Sequence, residues 1–150
     1  MSYPPPLQEI IDLFEFLPEQ EKRENLIAYA DQAKQQEPME GEDFDLEDVR
    51  KDEECTDTVG IFLRVDGDGG AHFRVTLGPQ VQTLTRAMTT VLCQGLEGSD
   101  CEQILEMDSG FVPKIVGGSL VRQRSQTVYY VLTRMKSACK VFVNRKRASG

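Results

Sequence analysis

DEECTDTVGIFLRVDGDGGAHFRVTLG, residues 52 to 78, is the stretch on which the fold turns. Thr58 to Val65 and Ala71 to Leu77 are short apolar segments rich in β-branched and aromatic residues. The Asp-Gly-Asp-Gly-Gly link between them, residues 66 to 70, supplies the positive-φ positions that a hairpin turn needs. Alternation puts His72 and Arg74 on one face of the second strand and Phe73 and Val75 on the other. Cys55 stands about three residues upstream of the first strand, in a polar run that leads into it. A thiol on a loop at the end of a sheet can move toward a partner, whereas one inside a strand cannot.

Upstream of the hairpin, Leu7, Ile10, Ile11, Phe14 and Leu17 follow helical spacing after the stiff lead-in of residues 2 to 6. Pro18 ends that helix, and Pro18-Glu19-Gln20-Glu21 opens a second, with Leu26, Tyr29, Ala30 and Ala33 as its buried stripe. These read as a pair of packed helices. Residues 35 to 54 hold Pro38, Gly41 and many acids, and read as an extended linker or mobile loop. Phe44, Leu46 and Val49 could tack that loop to the body, and it could supply a third strand.

Downstream, Gln80 to Leu96 is amphipathic, with Leu84, Ala87, Met88, Val91 and Leu92 on one face and Cys93 beside it as a small buried filler. Gly98-Ser99-Asp100 reads as a turn and N-cap for a short helix from Cys101 to Met107. Residues 108 to 118 read as a loop anchored by Phe111, Val112 and Ile115. The last helix is expected from Ser119 or Gln123 to Val143, burying Val128, Leu132, Met135 and Cys139, with residues 144 to 150 as a frayed tail.

Strands and helices are thus segregated along the chain. That points to an α+β fold, a small antiparallel sheet packed against helices. At 150 residues the chain reads as a single domain, residues 1 to 150, able to bury roughly two-thirds of its unfolded surface. No apolar run approaches the ~20 residues of a membrane span, and the N-terminus lacks the basic and apolar regions of a signal peptide, so cytoplasm is the expected compartment. The net charge of −8 argues against a nucleic-acid binder of the usual basic type. The charge is also uneven. Residues 1 to 57 carry 18 acids and 5 bases, while residues 111 to 150 carry 9 bases and no acid. This suits either self-solvating ends or a polarised surface that steers a protein partner.

No P-loop, dinucleotide fingerprint or His-Glu-x-x-His is present, and no pair of the four cysteines has Cys-x-x-Cys spacing. A Cys–His pair would have to use His72, the single histidine. Cys55 differs from Cys93, Cys101 and Cys139 in its polar surroundings, which allow a chance exposed thiol or a reactive one. Asp52, Glu53, Glu54 and Asp57 surround it with negative charge, which disfavours a free thiolate. Such a thiol is quiet alone and suits an acceptor that reacts inside a docked complex.

The run LTRAMTTVLCQGLEGSDCEQILEMDSGFVPKI, residues 84 to 115, followed by SLVRQRSQTVYYVL, residues 119 to 132, resembles the SufE family, the Fe-S metabolism associated domain. Members carry a similar Leu-Thr-x-Ala helix, a short Glu-x-Ile-Leu helix, a loop, and an Arg-Ser-Gln/Asn step into the last helix. Their reactive cysteine stands just before the strand hairpin, as Cys55 does. The chain departs from the pattern at Glu54, where members have glycine, and at Gly60, which takes the approximate place of a tryptophan.

The resemblance implies a SufE/IscU-like fold and a sulfur acceptor rather than an autonomous enzyme. Cys55 would take persulfide sulfur from a cysteine desulfurase (SufS/CsdA-like), stimulate it, and pass the sulfur to an iron–sulfur scaffold complex (SufBCD-like). Arg124 matches the family's arginine at the start of the last helix and would support the cysteine loop. The protein itself would need no cofactor, since pyridoxal phosphate belongs to the desulfurase. A monomer or weak dimer is expected, without nucleic-acid or membrane partners. The alternatives are an IscU-like metal or cluster scaffold, with Cys55, Cys93 and His72 or an aspartate converging, and a plain interaction protein.

Overall fold

A computed structural model describes residues 3–51, 58–117 and 126–149. Helix α1 (Pro5–Phe16) starts where prolines are favoured, since ring-locked φ angles suit the first turn and no amide there needs a helical partner. Leu7, Ile11 and Phe14 are its buried stripe, and Leu17 turns extended ahead of Pro18. Helix α2 (Glu19–Asp31) follows, with Glu19 and Glu21 in its first turn, and a 3-10 turn (Ala33–Gln36) closes it. The two helices touch through Phe14 and Tyr29, ring centroids 6.0 Å apart. Most of their packing is against a third helix rather than each other.

The sheet has four antiparallel strands in sequence order: β1 (Leu46–Lys51), β2 (Thr58–Val65), β3 (Gly70–Leu77) and β4 (Ser99–Asp100). The acidic stretch does supply the extra strand. Its Leu46 to Lys51 pair with Leu63 to Thr58. The β2–β3 hairpin has the register expected of its alternation, Leu63 opposite Phe73 and Ile61 opposite Val75, all four buried. Its turn is held by Asp66, whose Oδ1 accepts from the amides of Asp68 (2.9 Å) and Gly70 (3.0 Å), while Gly69 takes φ 87°. The two-residue β4, pairing with Gly70 and Ala71, is a strand that the turn-and-cap reading of residues 98 to 100 did not anticipate. Asp100 caps the next helix as expected, accepting from the Glu102 amide at 3.0 Å.

One face of the sheet is covered by α3 (Thr83–Gly95) and α6 (Gln126–Ser149), with the short helices α4 (Cys101–Glu106) and α5 (Phe111–Val116) between them in sequence. The core joins Ile61, Leu63, Phe73 and Val75 to Met88, Val91 and Leu92 of α3 and to Val131, Leu132 and Met135 of α6. Two expectations are corrected. Residues 111 to 116 are helical, because Phe111, Val112, Ile115 and Val116 bury one side at helical spacing, and Pro113 lies in the first turn, where it breaks no bond. Residues 144 to 149 continue α6 rather than fraying, with Arg147 reaching Glu102 of α4 at 3.1 Å.

Close packing of α1 on α3 depends on Gly95. A Cβ there would stand 2.9 Å from Leu7 Cδ1 and 3.1 Å from Leu7 Cα, and the Cα is backbone that cannot swing aside. Gly95→Ala is expected to lower unfolding free energy by about 1–2 kcal/mol in urea titration, because overpacking outweighs the alanine's better helix propensity.

Candidate functional site

Cys55 and Arg124 both lie outside the described residues. Their flanks are described. Lys51 and Thr58 face each other across the β1–β2 ladder, so the six residues that include Cys55 join two paired strand ends. The segment with Arg124 leads into Gln126, the first residue of α6.

What anchors these flanks is Arg134, two turns into α6 and only 2% exposed. Its guanidinium donates to the Val59 carbonyl at 2.6 Å, to the Asp48 carbonyl, and to Asp48 Oδ2 at 3.3 Å, and it lies 5.5 Å from the Tyr130 ring centroid. One planar fork thereby ties α6 to both strands of the β1–β2 hairpin. The opposite half of α6 reaches the other end of the sheet, where Phe142 and Val143 share a cleft with Val65, Gly70 and Asp100. Helix α6 therefore runs along the sheet with its N-terminal half toward Thr58. The segments that hold Cys55 and Arg124 leave the described structure at the same end.

Gly60 is packed tightly beside that end. A Cβ on it would run into Thr76 Oγ1 and stand 2.9 Å from Phe62 Cε2 and 3.1 Å from Val49 Cγ2. The space a large side chain would need here is already filled by Phe62, Val49 and Thr76. Sequence reasoning missed Arg134. Its signal is that it falls three residues after Val131 and four before Ala138, both buried, so a charged residue sits within an apolar stripe.

The other three cysteines are buried: Cys93 at 1%, Cys101 at 4% and Cys139 at 0% exposure. Burial pushes the Cys93 thiol up to about 12, as befits a packing residue.

His72 lies at the far end of the sheet from Thr58. Its Nε2 donates to Asp66 Oδ2 at 2.6 Å and its Nδ1 to Glu97 Oε1. Two donated bonds require the imidazolium. Burial pulls the His72 pKa down, but the bonds to Asp66 and Glu97 outweigh it and the net shift is upward. Asp66 is lowered to about 2, chiefly by the His72 bond and then by the Gly70 and Asp68 amides. The histidine's contribution is fully present below its unfolded value of 6.5 and is lost as pH rises through its raised folded value. The aspartate's is present above 3.8 and is lost as pH falls toward 2. Stability is therefore expected to decline as pH rises above 6.5 in the wild type, and His72→Gln to flatten that decline in urea titrations. Among the described residues no three His, Cys, Asp or Glu side chains converge to hold a metal ion. The histidine that the cluster-scaffold alternative could draw on is committed to Asp66 and Glu97, and Cys93 is in the core.

The profile of the SufE family, the Fe-S metabolism associated domain, matches residues 8–139. The chain belongs to the SufE family. Among solved structures, the SufE chain is similar to the solution structure of a hypothetical protein from Thermus thermophilus, with TM-score 0.73 and 23% identity, over 95% of this chain and 99% of that one. That likeness shows the fold. No curated protein matches this SufE chain. The general role that comes with SufE membership is sulfur transfer in iron–sulfur metabolism, as a carrier that works with a cysteine desulfurase. No helix among the described residues is long and apolar enough to cross a membrane.

Proposed function

We propose that Cys55 is the thiol through which this SufE protein accepts sulfur. The observation that carries this is the burial of Cys93, Cys101 and Cys139, which leaves Cys55 as the cysteine to meet another protein's persulfide. The shared exit of the two segments that hold Cys55 and Arg124 supports the second assignment, Arg124 as a support for the cysteine loop.

The step is thiol exchange. The Cys55 thiolate attacks the outer sulfur of the desulfurase's cysteine persulfide, the sulfur–sulfur bond breaks, and the desulfurase thiolate leaves. Cys55 then carries the extra sulfur as a persulfide and delivers it to an iron–sulfur scaffold by the same exchange. Because Asp52, Glu53, Glu54 and Asp57 oppose a thiolate at position 55, the desulfurase's own cationic or basic groups must promote ionisation in the docked complex. Freeing the desulfurase's cysteine for another turn is what stimulates it.

The test is mass spectrometry of the protein after incubation with a pyridoxal-phosphate cysteine desulfurase and cysteine, with alkylation to trap persulfides. A gain of about 32 Da on the peptide that contains Cys55 is the expected product. A gain on a peptide of Cys93, Cys101 or Cys139 instead would refute the assignment.

A further inference from the structure

We propose that this chain binds a second copy of itself, weakly, through the outer face of α1 on one protomer and the outer face of α6 on the other. Helix α1 turns Leu7, Ile11 and Phe14 into the core. Its opposite side carries Glu9, Asp12, Leu13 and Phe16, all exposed and spaced as one helical stripe. Phe16 is 88% exposed and Leu13 46%, so two large apolar side chains stand together in water beside two carboxylates. Asp12 accepts a hydrogen bond from Gln8, and neither Glu9 nor Asp12 meets a cation among the described residues.

Helix α6 carries the counterpart. Ser137, Lys140, Val141, Asn144 and Arg145 are exposed and share the side of the helix away from buried Met135 and Cys139. Val141, 41% exposed, stands between the two cations, and the small Ser137 one turn earlier leaves room for a large side chain from outside. Lys140 and Arg145 meet no carboxylate among the described residues.

The two faces match in sign and in their apolar parts, and no ion pair among the described residues joins α1 to α6 within one protomer. Each face therefore keeps its charge for another molecule. The chain itself brings the basic helix that the acidic one fits, since residues 111 to 150 hold nine bases and no acid. Like faces repel, so α1 meets α6 and not another α1. Two such contacts related by a twofold axis close a dimer and satisfy both faces at once. With three exposed apolar side chains in each contact, the buried area falls short of the roughly 1,200 Å² of a stable complex, so the association is weak and sensitive to salt. None of these residues belongs to the segments that hold Cys55 and Arg124, and the inference does not depend on sulfur transfer.

Sedimentation velocity of the full chain, from about 10 µM to about 1 mM in roughly 0.05 M sodium chloride, reads the association. The expected result is a concentration-dependent shift from monomer toward dimer, with a dissociation constant that rises roughly 10-fold or more in about 0.5 M salt. Phe16→Ser should weaken the dimer by about 10-fold. Two charge reversals then test the pairing. Glu9→Lys with Asp12→Lys makes both faces basic, and Lys140→Glu with Arg145→Glu makes both acidic. Each variant alone should stay monomeric, while an equimolar mixture should recover the dimer, because both contacts then join opposite charges. That recovery also shows that both variants are folded. Wild type that stays monomeric at every concentration would overturn the proposal. So would self-association that survives Phe16→Ser and either reversal, or a mixture of the two reversals that remains monomeric. If the wild type is monomeric and the α1 reversal cancels stimulation of the desulfurase, the acidic face belongs to that enzyme and not to a second copy.

Discussion

Cys55→Ser is expected to abolish sulfur acceptance and to return the cysteine desulfurase to its unassisted rate. A serine hydroxyl stays protonated near neutral pH and does not exchange with a persulfide, so transfer should fall by roughly 100-fold or more, to the background of the assay. Turnover of cysteine by the desulfurase, with the variant and wild type compared at equal concentration, reads the stimulation. Trapped-product mass spectrometry reads the adduct. Cys93→Ala provides the contrast. Cys93 sits in the core on α3, away from solvent, and its loss should lower stability while leaving the adduct on Cys55 in the folded fraction. If stimulation survives in Cys55→Ser, the protein assists its desulfurase by docking rather than by taking sulfur. The Cys55 assignment then falls, although SufE membership stands on the match over residues 8–139.

Much of this fold is legible where a periodic pattern spans a whole element. The β2–β3 hairpin declares itself through alternating Ile61, Leu63, Phe73 and Val75 around an Asp/Gly turn, and α3 through its apolar face. The elements that escape are short or set by partners distant in sequence. Strand β4 is two residues long and exists because Gly70 and Ala71 offer a free edge. Helix α5 is six residues with a proline in it, too brief for periodicity to outweigh the loop reading. The last residues of α6 read as a solvated basic tail, yet Arg147 finds Glu102 some 45 positions upstream.

The same division runs through the candidate site. Cys55 stands out by the acidic, polar run around it, and that signal is local. Arg134 is non-local: nothing near it in sequence announces the carbonyls it serves on β1 and β2.

That clamp carries the second large effect. Arg134→Met keeps the length and apolar stem of the side chain, so the packing of α6 is largely preserved and what is lost is the guanidinium. The carbonyls of Val59 and Asp48 then lose their donor, and the Asp48 carboxylate loses a cation held at 3.2 Å. Removing one partner from a buried charged network strands the others, which is why such losses are larger than the net worth of the contacts. The Asp48 side chain is 34% exposed and water can serve it, so the expected loss is about 2–4 kcal/mol, below a fully buried pair's upper range. Urea titration measures it. Asp48→Asn should lose far less, since the backbone carbonyls keep their arginine. Arg134→Lys should recover little, because one ammonium cannot span two strands as the planar fork does. Hydrogen exchange separates the local effect from the global one. Amides of β1 and of β2 near Val59 should lose protection in Arg134→Met by more than those of α3. Uniform loss across the chain would mean that Arg134 supports the core as a whole. Selective loss would mean that it secures the root of the hairpin from which the Cys55 segment extends. In that case the variant should also slow sulfur transfer in the folded protein, by loosening the strand ends that flank the proposed acceptor, Cys55.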